Sequence, residues 1–140
     1  MSERAVFFVS AGGSRAAWQS MSMALTAAAM GDEVVVVFAF DALRALAAGT
    51  FGQPLEQGER AEVDRGEGLG AATPASMLQD ARGLGVRLVA CDTTVKLSGL
   101  DPAELERAGA LDEVLGLPQI WKLMDEMIRA HGSGLPRFAR

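Results

Sequence analysis

The chain holds one cysteine and one histidine, and these set the limits of its side-chain chemistry. Cys91 lies in Val89-Ala90-Cys91-Asp92-Thr93-Thr94-Val95-Lys96-Leu97. The β-forming run from Val86 to Ala90 predicts a strand that ends just before the thiol. A new helical turn should follow, with Thr93 or Thr94 as its cap. A thiol at a helix N-terminus faces the positive end of the dipole and unpaired N–H groups, which favour the thiolate. The hydroxyls of Thr93 and Thr94 can also donate hydrogen bonds to sulfur. The Asp92 carboxylate opposes this, because it disfavours a second anion beside it. Lone cysteines also serve as small buried hydrophobes, so a reactive and a structural role both stand open.

Several sulfur chemistries are excluded at once. A Cys–His hydrolytic pair needs the two side chains within hydrogen-bond reach, yet His131 falls at the far end of the last expected helix. Leu88, three residues before Cys91, stands where typical peroxiredoxins carry threonine. There is no Cys-x-x-Cys motif, no second thiol for an internal disulfide, and no ligand set for a three- or four-residue zinc site. Any covalent chemistry on Cys91 must be completed by another molecule. No metal or cofactor is expected.

A second segment with chemical potential is Ser10-Ala11-Gly12-Gly13-Ser14. It follows the first β-forming run and opens the first helix. Its glycines let backbone N–H groups approach an anion at a helix N-terminus. It matches neither G-x-G-x-x-G nor G-x-x-x-x-G-K-[ST], and no lysine follows. The plain alternative is a tight strand-to-helix turn.

The elements that position these groups follow from hydrophobic patterning. Ala5–Val9 and Val34–Phe38 are continuous apolar runs, as in parallel strands buried on both faces. Between them Trp18, Met21, Leu25 and Ala28 recur at helical spacing, and Gly31-Asp32 ends the helix. Thr73-Pro74 predicts a helix running to Leu84, stopped by Gly85. Asp101-Pro102-Ala103-Glu104 starts another with a capping-box-like pair. Leu111–Leu115 reads as a last short strand, with Asp112 and Glu113 suiting a sheet edge. An amphipathic helix follows over Pro118–Ala130, with Ile120, Leu123, Met124, Met127 and Ile128 on its apolar face. Alternating strands and helices give a single-domain α/β fold with an open, mostly parallel sheet.

Residues 49–72 carry six glycines among many charges and keep neither a helical nor a strand period. They read as a long mobile loop, either a solvated insertion or a lid that gates Cys91. Trp18 and Trp121 fall on or beside apolar stripes and read as core or subunit-interface residues. Phe38 and Phe40 are candidates for an apolar wall near Cys91. Residues 1–132 are expected to form the domain, and 133–140 a flexible tail.

The chain has 140 residues, 49% of them hydrophobic, with 13 Lys and Arg against 18 Asp and Glu and a formal charge of −5. This is globular composition, and its acidity argues against nucleic acid or an anionic membrane surface as partner. The N-terminal apolar run is too short for a signal peptide and no run spans a bilayer. With a free thiol, these features give a cytoplasmic expectation.

The chain resembles the DsrE/DsrF-like family of small sulfur-relay proteins. The resemblance rests on the first strand leading into a helix, on Val37-Phe38-Ala39-Phe40-Asp41-Ala42-Leu43, and on Ala90-Cys91-Asp92-Thr93-Thr94-Val95-Lys96-Leu97-Ser98-Gly99-Leu100. It extends to Leu115-Gly116-Leu117-Pro118 before the final helix. What it implies is a five-stranded α/β sheet, a homo-oligomer such as a trimer or hexamer, and Cys91 as the carrier of sulfane sulfur. It also implies thiol-carrier or rhodanese-like proteins as donor and acceptor. Ser10, Gly12, Gly13, Phe40, Asp92, Thr93 and Thr94 are then the expected partner-binding residues around the thiol. A non-catalytic oligomeric module that binds a small ligand and holds a structural cysteine is the alternative.

Overall fold

The computed structural model describes residues 3–130. His131 and the expected tail lie outside the described residues. The strands are β1 (Arg4–Val9), β2 (Glu33–Phe38), β3 (Arg87–Cys91) and β4 (Glu113–Leu115). The helices are α1 (Ser14–Ala29), α2 (Phe40–Ala48), α3 (Gln57–Gly68), α4 (Pro74–Gly83), α5 (Asp92–Leu97), α6 (Pro102–Arg107) and α7 (Leu117–Ala130).

The strands form one parallel sheet in the order β1-β2-β3-β4. Each strand is the neighbour of its predecessor, so crossovers of one hand all fall on the same face. Only the helix after the last strand is left for the other face. The core divides accordingly. Phe7, Val9, Val36, Phe38, Leu88 and Ala90 pack with residues of the connecting helices, including Met21, Leu43, Met77, Val95 and Leu105. On the opposite face Val6, Val35, Val37, Val89 and Cys91 pack with Ile120 of α7. The period-2 alternation of strand side chains assigns each residue to its layer. Cys91, two residues beyond Val89, therefore points toward α7.

The α/β class and parallel sheet agree with the expectation from sequence. The described residues hold four strands rather than the five implied by the resemblance. After β2 the apolar residues recur at helical spacing, with Ala42, Leu43 and Leu46 buried on α2. That helix, unmarked by a conventional N-cap, ends at Gly49, whose φ of 74° fits the left-handed C-terminal turn.

Residues 49–72 are a second correction. They contain α3, whose N-cap Glu56 accepts hydrogen bonds from the Gly58 and Glu59 N–H groups. Its sole buried residue is Glu59, so no apolar stripe announces it. A helix with so little intrinsic propensity depends on tertiary contacts to persist.

The tryptophans also depart from a core role. The buried face of α1 is built on Ala17, Met21, Ala24 and Ala27, and Trp18 beside it is 53% exposed. Trp121 is likewise exposed beside buried Ile120. Charged side chains tie the sheet edges. Arg87 pairs with Glu113 across β3 and β4, and the Asp112 carboxylate accepts the Leu88 N–H at 2.7 Å. Among the described residues no helix is long and apolar enough to cross a membrane.

Candidate functional site

The carboxyl ends of β1, β2 and β3 are level. Val9 pairs with Phe38, and Phe38 with Ala90. The next residues, Ser10, Ala39 and Cys91, therefore line up along one rim of the sheet. Ligands of open α/β sheets usually bind where the strand order reverses. The described strands run in sequence order without a reversal, so no such crevice divides this rim.

Cys91 ends β3 and is the N-cap of α5, with φ −75° and ψ 130°. The cap is thus the cysteine itself rather than Thr93 or Thr94. The Thr94 hydroxyl donates to the Cys91 carbonyl oxygen at 2.9 Å, which anchors the turn but does not involve sulfur. Asp92 pairs with Lys96 one turn later, at 3.0 Å. The thiol is free and buried, at 5% exposure. Leu115 pairs with Cys91 across β3 and β4 and packs against the same cluster. Gly116 then leads into α7, its N–H donating to Gln119 Oε1 at 2.8 Å. The start of α7 and Ile120 therefore form the cover over Cys91. Around it Thr93 and Phe40 are exposed, while Asp92 and Thr94 are partly covered.

Phe40 occupies an unusual position. It opens α2 just beyond β2 with φ +50°, the sole non-glycine among the described residues with positive φ. A bulky residue in this region carries backbone strain. Phe38 does not join it at the rim. Phe38 is fully buried in the layer opposite Cys91, its ring edge-on to Phe51 at 5.2 Å.

The glycine turn is closed by the protein itself. The Ser10 carbonyl accepts the Ala42 N–H at 3.0 Å, and the Gly12 carbonyl accepts the Gly52 N–H at 3.0 Å. A Cβ on Gly12 would meet Ala45 Cβ and the Asp41 carbonyl oxygen, both at 2.9 Å. Gly13, the N-cap of α1, has no side chain with which to cap. Glu59 of α3 supplies the missing acceptor. Its Oε1 accepts the Leu55 N–H at 2.9 Å and the Ser14 N–H at 3.2 Å, and Oε2 accepts the Arg15 N–H at 3.4 Å. The anion expected at this helix N-terminus is therefore the chain's own carboxylate.

The Leu55 hydrogen bond, reinforced by those from Ser14 and Arg15, holds the Glu59 carboxyl below its ordinary range against the opposing effect of burial. The buried Ser14 hydroxyl has no hydrogen-bond partner of regular geometry among the described residues, but its proximity favours the same ionised form. Arg15 completes the clasp through Glu62 at 2.7 Å and Glu56 at 3.8 Å.

Of the residues singled out from sequence, Ser10, Phe40, Cys91, Asp92, Thr93 and Thr94 lie along or just beyond one rim. Gly12 and Gly13 are buried at its β1 end. That end lies two strand spacings from Cys91, roughly 10 Å. The segment 57–68 packs as a helix against α1, on the β1 side rather than over the thiol. Sequence reasoning missed Glu59, because a carboxylate between glycines and charges gives no periodic signal. Among the described residues no group of three or more His, Cys, Asp and Glu is arranged to hold a metal ion.

No curated protein matches the chain. The sequence model of the DsrE/DsrF-like family matches residues 3–129, most of the chain. Matched over most of its length and folded as a parallel α/β sheet, the chain belongs to the DsrE/DsrF-like family.

Proposed function

We propose that the protein is a sulfur-relay carrier that accepts sulfane sulfur on Cys91 and passes it to a partner thiol. Membership of the DsrE/DsrF-like family supports a sulfur-relay role. The observation that carries the finer reading is the position of the lone thiol at a strand end, on a rim that also presents Ser10, Phe40 and Thr93 to solvent.

In the chemical step the Cys91 thiolate attacks the terminal sulfur of a donor persulfide, R–S–SH. The donor S–S bond breaks as the Cys91 S–S bond forms, and R–S⁻ leaves. The product is Cys91–S–SH, with the sulfane sulfur unchanged in oxidation state and no external oxidant consumed. An acceptor thiolate repeats the displacement and regenerates the Cys91 thiolate. Rates follow thiolate fraction, nucleophilicity and access. Access is the controlling factor here, because Cys91 is 5% exposed. Loading requires the start of α7, with Ile120, to move aside. A partner thiol docks on the rim through Phe40, Thr93 and Ser10, with Asp92 and Lys96 supplying charge at its edge. Exposed Leu117 and Trp121 on α7 offer an apolar surface for homo-oligomer formation, and the cytoplasm suits a persistent free thiol.

The same burial favours a second reading, an oligomeric ligand-binding module in which Cys91 is core packing. Intact mass after exposure to a polysulfide donor separates the two. A gain of one sulfur atom, reversed by reductant and absent from Cys91→Ser, is the expected result. An unmodified wild type, with a thiol that alkylates only after denaturation, would establish the structural role.

A further inference from the structure

A cleft of about 720 Å³ lies between α1 and α3, away from Cys91. Its volume falls within the range typical of small-molecule sites. Trp18 and Val63 stand on its two helices, while Leu69 borders it from the segment that joins α3 to α4 and Pro74 from the first turn of α4. Trp18 is 53% exposed and Leu69 is 86% exposed. Exposed large apolar side chains gathered along a concave surface mark a binding site more often than scattered ones do.

The charges along this cleft cancel. Arg15 and Arg65 line it together with Glu62 and Glu67, and Arg15 is already paired with Glu62 at 2.7 Å. A balanced rim provides no net field to recruit a cation or an anion. Discrimination then rests on the apolar lining and on the flat face of the Trp18 indole, which suits an aromatic ring. The α3 wall is held by polar contacts, since Glu59 is its buried residue.

We propose that the cleft between α1 and α3 binds an uncharged, largely apolar aromatic molecule against Trp18, Val63 and Leu69. The site is independent of the sulfur chemistry, because Cys91 does not line it.

The test uses the full chain carrying Trp121→Phe, which leaves Trp18 as the reporter. Two probes are titrated, neutral N-phenyl-1-naphthylamine and anionic 8-anilinonaphthalene-1-sulfonate. The expected result is saturable quenching of Trp18 by the neutral probe, with the anionic probe binding no better. Leu69→Asp, at the exposed C-cap of α3, should weaken the neutral probe about tenfold or more in a protein that still unfolds cooperatively, with only the small loss of stability that a carboxylate at a helix C-terminus brings. Absence of saturable binding would overturn the proposal, as would binding indifferent to Leu69→Asp or selective for the anion. If the neutral probe fails to bind and Leu69→Asp alters the mass in solution, the cleft is a contact between copies of the chain and the proposal fails.

Discussion

The Glu59 carboxylate caps a helix that begins 45 residues earlier in the chain, taking the Ser14 N–H at 3.2 Å. Backbone donors of Leu55 and Arg15 converge on the same carboxylate. One side chain thus fixes α3 to the start of α1 and satisfies N–H groups that the glycine cap leaves open. Replacing Glu59 with Gln should cost roughly 1–2 kcal/mol of stability, as loss of a helix cap and of charge-assisted hydrogen bonds does. Denaturant unfolding of the two proteins at neutral pH measures it.

The pH dependence of that difference is a separate test. The Glu59 carboxyl is held below its ordinary value of 4.5 in the folded state. A group lowered on folding contributes stability above its unfolded value and loses it as pH falls through the folded one. The stability gap between wild type and Glu59→Gln should therefore be constant above about pH 5 and shrink below 4.5. A gap that widens with acid would contradict the ionised clasp.

Gly12 and Gly13 should respond differently to alanine. At Gly12 the new Cβ meets the Asp41 carbonyl oxygen and Ala45 Cβ at 2.9 Å, a wall partly of backbone. Gly12→Ala should cost about 1–3 kcal/mol in any background. At Gly13 the nearest atoms are Glu59 Oε1 at 2.6 Å and Oε2 at 2.9 Å, with Leu55 Cδ1 also at 2.9 Å, all far ends of flexible side chains. The cost of Gly13→Ala should fall when Glu59 is replaced by Ala. A double-mutant cycle measures that coupling.

Phe40 holds a backbone conformation suited to glycine, with φ +50°. Its side chain is 46% exposed, so removing it forfeits only part of a phenylalanine's burial. Phe40→Gly should be more stable than Phe40→Ala by about 1 kcal/mol. Thermal unfolding of the pair checks this order. If the aromatic ring serves partner docking, both variants should slow sulfur transfer to an acceptor while leaving loading from small polysulfide intact.

Cys91 and Ile120 share one apolar cluster. Ile120→Ala should lower stability by about 2–5 kcal/mol and raise the rate of Cys91 alkylation by iodoacetamide at least about tenfold at low denaturant. Alkylation as slow as in wild type would place the route to the thiol elsewhere than beneath α7.

Local pattern determined much of this architecture. The apolar runs around Val6, Val35 and Leu88 became strands buried on both faces, because each carries enough β-branched or apolar surface to fill two layers. Thr73-Pro74 and Asp101-Pro102 started helices where a cap and an N1 proline agree, and Cys91 fell at a strand-to-helix junction as its neighbours dictate. The resemblance to the family was legible for the same reason, since it was drawn on contiguous residues such as those from Ala90 to Leu100, and the family model matches residues 3–129. The tertiary structure decided what depends on distant partners. Whether Cys91 faces solvent or the underside of α7 is settled by strand register and by which face α7 must cover. The helix at 57–68 exists through a carboxylate that finds the N-terminus of α1, an interaction without any period to read. Trp18 lies outside the core because Ala17, Met21, Ala24 and Ala27 take the buried face of α1, and which of two neighbouring stripes faces the sheet is not spelled out by neighbours in sequence.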